Sequence, residues 1–389
     1  MTARPLHPVD LRRRRLPLAA FGLALALAVP GSLLTSEAAR ADTIETSVGE
    51  VRVEAMATGL TEPWAIGFLP EGGFLVTERG GRLLRVDEAG DRHQVSGVPR
   101  VAATGQGGLL DLMIPRDFAQ TRELFLTFAE TRPGGLLNTS LAVGRLSEDL
   151  TRLDDVRVIF RAMPGFGGGR HFGSRVAEGP EGHLFMTLGD RGSDTTSQDR
   201  SNHNGTVVRL NRDGSVPGDN PFVGQEGVLP EIWSWGHRNA QGLAFDADGR
   251  LWSTEHGPRG GDELNLVEPG LNYGWPVIGE GVHYSGRPMP EGREAEGMIR
   301  PLMDWSPALA PSGLAAYSGT LFPGWQGHLF AGSLQQDRIA VIDPDRAVEV
   351  DSLQAAQTGR IRDVREGPEG AIWFLSIHEG GAFRIVPAE

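Results

Sequence analysis

A short unit recurs six times along this chain, and the fold must give each copy an equivalent place. An apolar strand leads into a Pro-x-Gly or Asp-x-Gly turn. A second apolar strand follows, ending in Thr-Glu or similar, and then comes another strand. The fullest copy covers residues 64–68, 72–78 and 81–86. Others span 174–187, 242–255 and 362–375, with weaker copies at 109–128 and 313–331. Strands of four to six residues rich in Val, Ile, Phe and Trp, separated by such turns, make hairpins. Long helical periodicity is missing, and 45–57 alternates as a single strand. Six four-stranded units set radially make a β-propeller. The expected fold class is therefore all-β, a six-bladed β-propeller of four-stranded antiparallel blades, with the N-terminal strand completing the last blade. A pair of β-sandwiches or an open solenoid is the alternative the pattern leaves. Segments 190–230 and 270–306, rich in Gly, Pro, Asn and Asp, break the repeat and read as long loops, which in compact domains are often functional.

The two ends of the chain differ in kind. Arg12 to Arg15, the apolar run 16–29 and the small-x-small site Ala39-Arg40-Ala41 form a targeting segment, so residues 1–41 are expected to be a signal peptide. The run is short for a membrane span, although an uncleaved anchor is the alternative, and the arginines fit either general secretory or twin-arginine export. Residues 42–389 then form one propeller domain, exported to the periplasm or the medium. The chain has no Cys and no Lys, so disulfides, zinc–thiolate sites and lysine Schiff bases are excluded. Residues 1–41 carry six arginines and two acids, so their removal takes the net charge from -13 to -17. Such a surface argues against nucleic acid and anionic membranes as partners. It suits neutral sugars and divalent cations.

Three glycine-framed segments put ionic side chains beside exposed backbone: 168–175, 236–242 and 255–263. Glycine is disfavoured inside strands, so these are turns that present polar groups, and three of them point to loops meeting at one pocket. His171 between Gly169 and Gly173 can accept a proton from a hydroxyl, or it can cap a turn. Cations at Arg170 and Arg175 would favour its neutral form. Gln106, flanked by glycines, offers a donor and an acceptor suited to a sugar hydroxyl, or is a turn residue. Arg238 beside Asn239 can polarise a carbonyl or clamp a carboxylate, or form a surface ion pair. Gly257 and Pro258 can turn backbone oxygens toward a hard cation, with Glu263 a possible carboxylate ligand; the spacing matches no EF-hand. The alternation Arg360-Ile361-Arg362 puts both guanidinia on one strand face, where they need an anion between them. In a propeller these positions fall at one rim of the central channel.

Taken in order, the segments 105–110, 170–175, 236–243, 255–263, 272–276, 310–313 and 360–364 resemble the soluble quinoprotein aldose sugar dehydrogenases of the glucose/sorbosone dehydrogenase family, over residues 51–386. The resemblance implies a propeller that binds pyrroloquinoline quinone (PQQ) and calcium and oxidises aldose sugars at C1 to lactones, passing electrons to a soluble acceptor. It implies His171 as the base for the anomeric hydroxyl, Arg238 as the residue polarising the quinone carbonyl beside Asn239, and Gln106 as a substrate contact. Tyr284, Arg360 and Arg362 resemble PQQ contacts. The carbonyls of Gly257 and Pro258 resemble ligands of the cofactor's calcium, and Glu263 and Tyr273 resemble ligands of a second, structural calcium. The chain departs from the soluble glucose dehydrogenases at Gln335, where they carry Lys against PQQ, and at Arg170, where they carry Asp. A monomer is favoured. The alternatives are a lactonase-like hydrolase, needing an axial cation held by carboxylates, and a non-catalytic propeller binding carbohydrate or protein.

Overall fold

The computed structural model describes residues 43–289 and 291–388. The targeting segment and the cleavage point near Asp42 lie outside the described residues. Six antiparallel sheets form six blades. The innermost strands are Pro63–Phe68, Leu109–Met113, Val176–Glu178, Ala240–Phe245, Pro311–Ala316 and Ile361–Glu366. Each packs on the next and the last packs on the first, so the ring is closed. The six recurring units of the sequence are the inner hairpins of these six blades.

The second strand of a blade is buried on both faces, because neighbouring blades cover it. Phe74–Glu78, Leu184–Leu188 and Ile372–Ser376 are accordingly buried at every residue, without the alternation of a half-exposed sheet. Aromatic side chains such as Phe330 and Phe374 fill the wedges between blades at no exposure, each contributing about 2–3 kcal/mol through its burial. In three blades a threonine of the second strand has a definite task. Its Oγ1 accepts the amide of its own blade's inner strand and donates to a carbonyl at the inner edge of the next blade. Thr77 joins Ala65 to Leu110, Thr127 joins Asp111 to Ser174, and Thr187 joins Arg175 to Ala240. A buried hydroxyl must find such partners, and here the partners lie on two blades.

Closure follows the expected scheme with one difference. Gly49–Ala57 pairs antiparallel with Gly381–Pro387, which completes the last blade from the N-terminus. The expected single strand 45–57 is a hairpin, Thr43–Thr46 and Gly49–Ala57, so the closing blade has five strands rather than four. The chain turns at Ser47 because Asp351 of the preceding blade takes both its amide and its hydroxyl, at 2.9 and 2.5 Å. The expected long loops are also shorter than the composition implied. Strand Thr206–Leu210 lies inside 190–230 and Met303–Trp305 inside 270–306. Both are blade strands: Asn204, Gly205 and Asn211 flank the first, and Pro301 and Pro307 flank the second. Among the described residues no helix is long and apolar enough to cross a membrane.

Candidate active site

All six inner strands start at the same mouth of the channel, where a cavity of about 420 Å³ opens. Gln106, Asn239, Gln335, Arg360 and Arg362 all line it, together with His256. His171, Arg238 and Tyr284 stand beside these walls, joined to them directly. The His171 amide donates to Gln106 Oε1 at 2.7 Å. Arg238 donates to the His256 carbonyl at 3.1 Å and to the Tyr284 hydroxyl at 3.3 Å, and its guanidinium lies 5.1 Å from the Trp275 ring centroid. The glycine-framed turns thus meet at one place, as the sequence predicts.

The backbone here is bent in ways the blades avoid. His171, Ser174, Ala310 and Arg360 all have positive φ without being glycine, a conformation that costs on the order of 1 kcal/mol or more and is held by its surroundings. Arg360, at φ 47°, precedes the strand Ile361–Glu366. The two guanidinia therefore share a cavity, but strand alternation does not bring them there. Glycine is required at two points of close approach. A Cβ on Gly105 would sit 2.4 Å from the Gly169 carbonyl oxygen, and one on Gly189 would sit 2.2 Å from that of His171.

Gly189 lets Asp190 reach His171, and Asp190 is a site residue that the sequence reading missed. Its Oδ1 lies 2.6 Å from His171 Nδ1, and its Oδ2 accepts the Trp275 indole N–H at 2.8 Å. A carboxylate acceptor fixes the proton on Nδ1 and leaves Nε2 as the basic nitrogen. The run Gly189-Asp190-Arg191-Gly192 was the available signal, another glycine-framed acid. His256, also missed, sits between Pro311 and Arg238, with Nε2 2.7 Å from the Pro311 carbonyl. Desolvation, with the charges of Arg238 and Arg362, brings its pKa down to about 3, so it stays neutral.

The cavity suits an anionic, planar ligand. Arg362 is buried, takes only the neutral amide oxygen of Gln241 as a side-chain acceptor at 2.6 Å, and leaves Nε without a partner; Arg238 Nε is likewise buried and unpartnered. Orphaned buried donors are rare in folded proteins and ask for an acceptor. Desolvation, followed by the positive charge of Arg175, brings the Arg362 pKa down to about 9. The one carboxylate on the wall, Glu62, is committed to Arg79 at 2.5 Å. That leaves no ring of free carboxylates at the cavity of the kind a lactonase-like site would need.

For a cation, Gly257 and Pro258 follow His256 in a tight loop. A Cβ on Gly257 would meet the carbonyl oxygens of Gly260 and Gly261, each at 2.3 Å, so this loop packs backbone oxygens closely and needs glycine there. Glu263 and Tyr273 lie apart from the cavity wall. Desolvation and the neighbouring Glu255 carboxylate push Glu263 well above the ordinary carboxylate range. The Tyr273 hydroxyl is already engaged by the Leu266 carbonyl and the Glu268 amide, which leaves its backbone carbonyl as the ligand it has to offer.

Comparison with known proteins agrees with this picture. Residues 60–385 match the Glucose / Sorbosone dehydrogenase family. Aldose sugar dehydrogenase YliI of Escherichia coli is 42% identical over 339 residues, covering 85% of this chain and 91% of that protein. The crystal structure of the soluble aldose sugar dehydrogenase from E. coli in its apo form superposes with a TM-score of 0.82 at 41% identity, covering 87% and 99% of the two chains. The PQQ-bound form of aldose sugar dehydrogenase from Streptomyces coelicolor superposes with a TM-score of 0.71 at 28% identity, covering 86% and 98%. With its six closed blades and its arginine-lined mouth, this chain belongs to the glucose/sorbosone dehydrogenase family.

Proposed function

We propose that this protein oxidises aldose sugars at C1 to the lactone, with PQQ and calcium as cofactors and His171 as the general base. One observation carries the reading: the Asp190-oriented imidazole of His171 stands beside a cavity lined by Arg362 and flanked by Arg238, two buried guanidinia that each have an unpartnered donor. The family membership and the PQQ-bound relative support the choice of cofactor.

His171 Nε2 takes the proton of the anomeric hydroxyl, and Asp190 stabilises the imidazolium that forms. Losing that proton strengthens the push of the C1–H electron pair out of the sugar as hydride. A bound PQQ would supply the two-electron acceptor for it. Arg238 and Asn239 would face the quinone, Arg360 and Arg362 its carboxylates, and Gln335 and Tyr284 would complete the pocket. The carbonyls of Gly257 and Pro258 would hold the calcium beside it. Glu263 and Tyr273 would hold a second calcium that braces the loop. Gln106 pairs through Oε1 with His171 N and keeps its amide N–H groups for a sugar hydroxyl. Gln335 in place of Lys keeps a hydrogen bond but gives up a charge, so the arginines carry more of the anion binding. A soluble electron acceptor completes turnover outside the cytoplasm, and the enzyme works as an exported monomer.

The test is dye-linked oxidation of an aldose panel by purified apoprotein, with and without PQQ and calcium. Activity that needs both and is lost in excess chelator supports the proposal. Absence of activity together with no PQQ absorbance change on mixing refutes it.

A further inference from the structure

Five charged side chains meet at the centre of the ring, and the proposed reaction uses only one of them. Asp111 Oδ1 accepts from Arg175 Nη1 at 2.8 Å and from Arg365 Nη2 at 2.9 Å, while its Oδ2 accepts the Val176 amide at 2.7 Å. Asp363 Oδ1 faces Arg175 Nη1 at 2.9 Å and accepts the Val364 amide at 3.1 Å. Its Oδ2 accepts from Arg365 Nε and the Ile66 amide, both at 3.1 Å. Every carboxylate oxygen is thereby occupied. Arg362 completes the group without touching either carboxylate. Its guanidinium lies 4.3 Å from the Trp64 ring centroid, and that of Arg175 lies 4.5 Å from the same centroid.

Three guanidinia against two carboxylates leave one positive charge unmatched. The geometry decides which residue carries it. Arg175 and Arg365 saturate both aspartates, so the surplus falls on Arg362, at the wall of the site cavity. Arg365 does not reach that cavity. It lines a second one, of about 920 Å³, whose walls come from the opposite ends of the inner strands, among them Phe68, Leu112 and Phe245.

We propose that Arg365 is a positioning residue for anion binding at the far mouth of the channel: by occupying Asp111 and Asp363 it keeps Arg362 free for a carboxylate. This rests on the function proposed above, in which that carboxylate belongs to the cofactor. Removing Arg365 brings the central group to neutrality and takes one donor from each aspartate. That leaves Asp111 Oδ1 to Arg175 and Asp363 Oδ2 to the Ile66 amide, each with a lone pair free to compete for Arg362. Removing an aspartate together with Arg365 restores the single surplus charge.

The experiment is an absorbance titration of calcium-loaded apoprotein with PQQ, for the wild-type chain, Arg365→Gln, Arg365→Lys and the double variant Asp111→Asn/Arg365→Gln. Arg365→Gln is expected to weaken binding roughly tenfold or more. Arg365→Lys and the double variant are expected to stay within about threefold of wild type. A purely structural role would make the double variant worse than the single one, and that order, or an unchanged Arg365→Gln, overturns the proposal. If Arg365→Gln does not fold, the double variant decides: near wild type supports the charge balance, and weakened binding beside a normal Arg365→Lys overturns it. Should the wild-type chain bind no PQQ, the quinoprotein reading fails. The same series is then read as protection by citrate against thermal unfolding, where the same order supports the charge balance and a flat one overturns it.

Discussion

The central group of Asp111, Asp363, Arg175 and Arg365 and the rim group of Arg238 and Arg362 are both buried guanidinium environments. Each has an unpartnered donor, Arg175 Nη2 at the centre and the two Nε atoms at the rim, yet only the centre supplies carboxylates. At the centre the carboxylates sit between arginines and every carboxylate oxygen has a partner. At the rim Arg238 and Arg362 each keep a buried Nε with nothing to donate to. Three blades follow the central rule, with the hydroxyls of Thr77, Thr127 and Thr187 satisfied from two sides. The rim adds residues held at positive φ. Leaving a buried donor unpaired costs about 1–3 kcal/mol, and at the rim the guanidinia face tryptophan rings rather than carboxylates. The difference separates what holds the ring together from what is kept ready for a ligand.

The largest expected effect tests the rim. His171→Ala should lower kcat by about 10⁴-fold, the upper range for a general base, while the PQQ titration stays unchanged. A variant with near-normal turnover would remove His171 from the chemistry. Asp190→Asn should cost less, roughly a hundredfold in kcat, the lower range for acid–base catalysis, because an amide no longer demands the proton on Nδ1 and part of the population presents the wrong nitrogen. Its KM should move little. An equal loss in KM alone would recast Asp190 as a substrate contact.

Legibility in the sequence divides along the same line. The six units were readable because strand, turn and terminal threonine recur with the blades, and packing between neighbours enforces the pattern at each copy. The motif at 170–175 gives His171 but not Asp190, since the partner lies beyond the inner hairpin of the same blade and only folding brings Gly189 against the His171 carbonyl. Arg360 and Arg362 were read as alternating strand positions. The structure places them together by a left-handed residue instead, a conformation that no periodicity reveals. The hairpin at 47–48 was hidden for a related reason: its turn is held by Asp351, some three hundred positions away. The charge balance at the centre was invisible because its members come from three blades.

A smaller effect tests the framework. Thr127→Val keeps the shape of the side chain and removes both its bonds, to the Asp111 amide and the Ser174 carbonyl. Two buried backbone groups lose a partner, so unfolding free energy should fall by about 2 kcal/mol, read by denaturant melts of the apoprotein. A loss below a few tenths would mean that the threonine bridge between blades is incidental to ring stability.

The smallest effect lies at the closing seam, where the N-terminal strand meets the last. Burial alone would raise the Glu54 pKa, but hydrogen bonds from Arg384 and Arg52 outweigh it and hold the carboxyl below its ordinary 4.5. A carboxyl depressed in the folded state stabilises at pH values above its unfolded pKa, and that contribution is lost as pH falls through the lower folded value. Glu54→Gln should therefore cost under about 1 kcal/mol at neutral pH, given its part exposure to solvent, and should match wild type once the medium is acid enough to protonate Glu54 in the folded chain. A difference that persisted in acid would locate the loss in packing rather than charge. The seam would then owe its closure to the strand pairing from Val51 to Ala57, with its ion pairs as surface decoration, unlike the buried pairs at the centre of the ring.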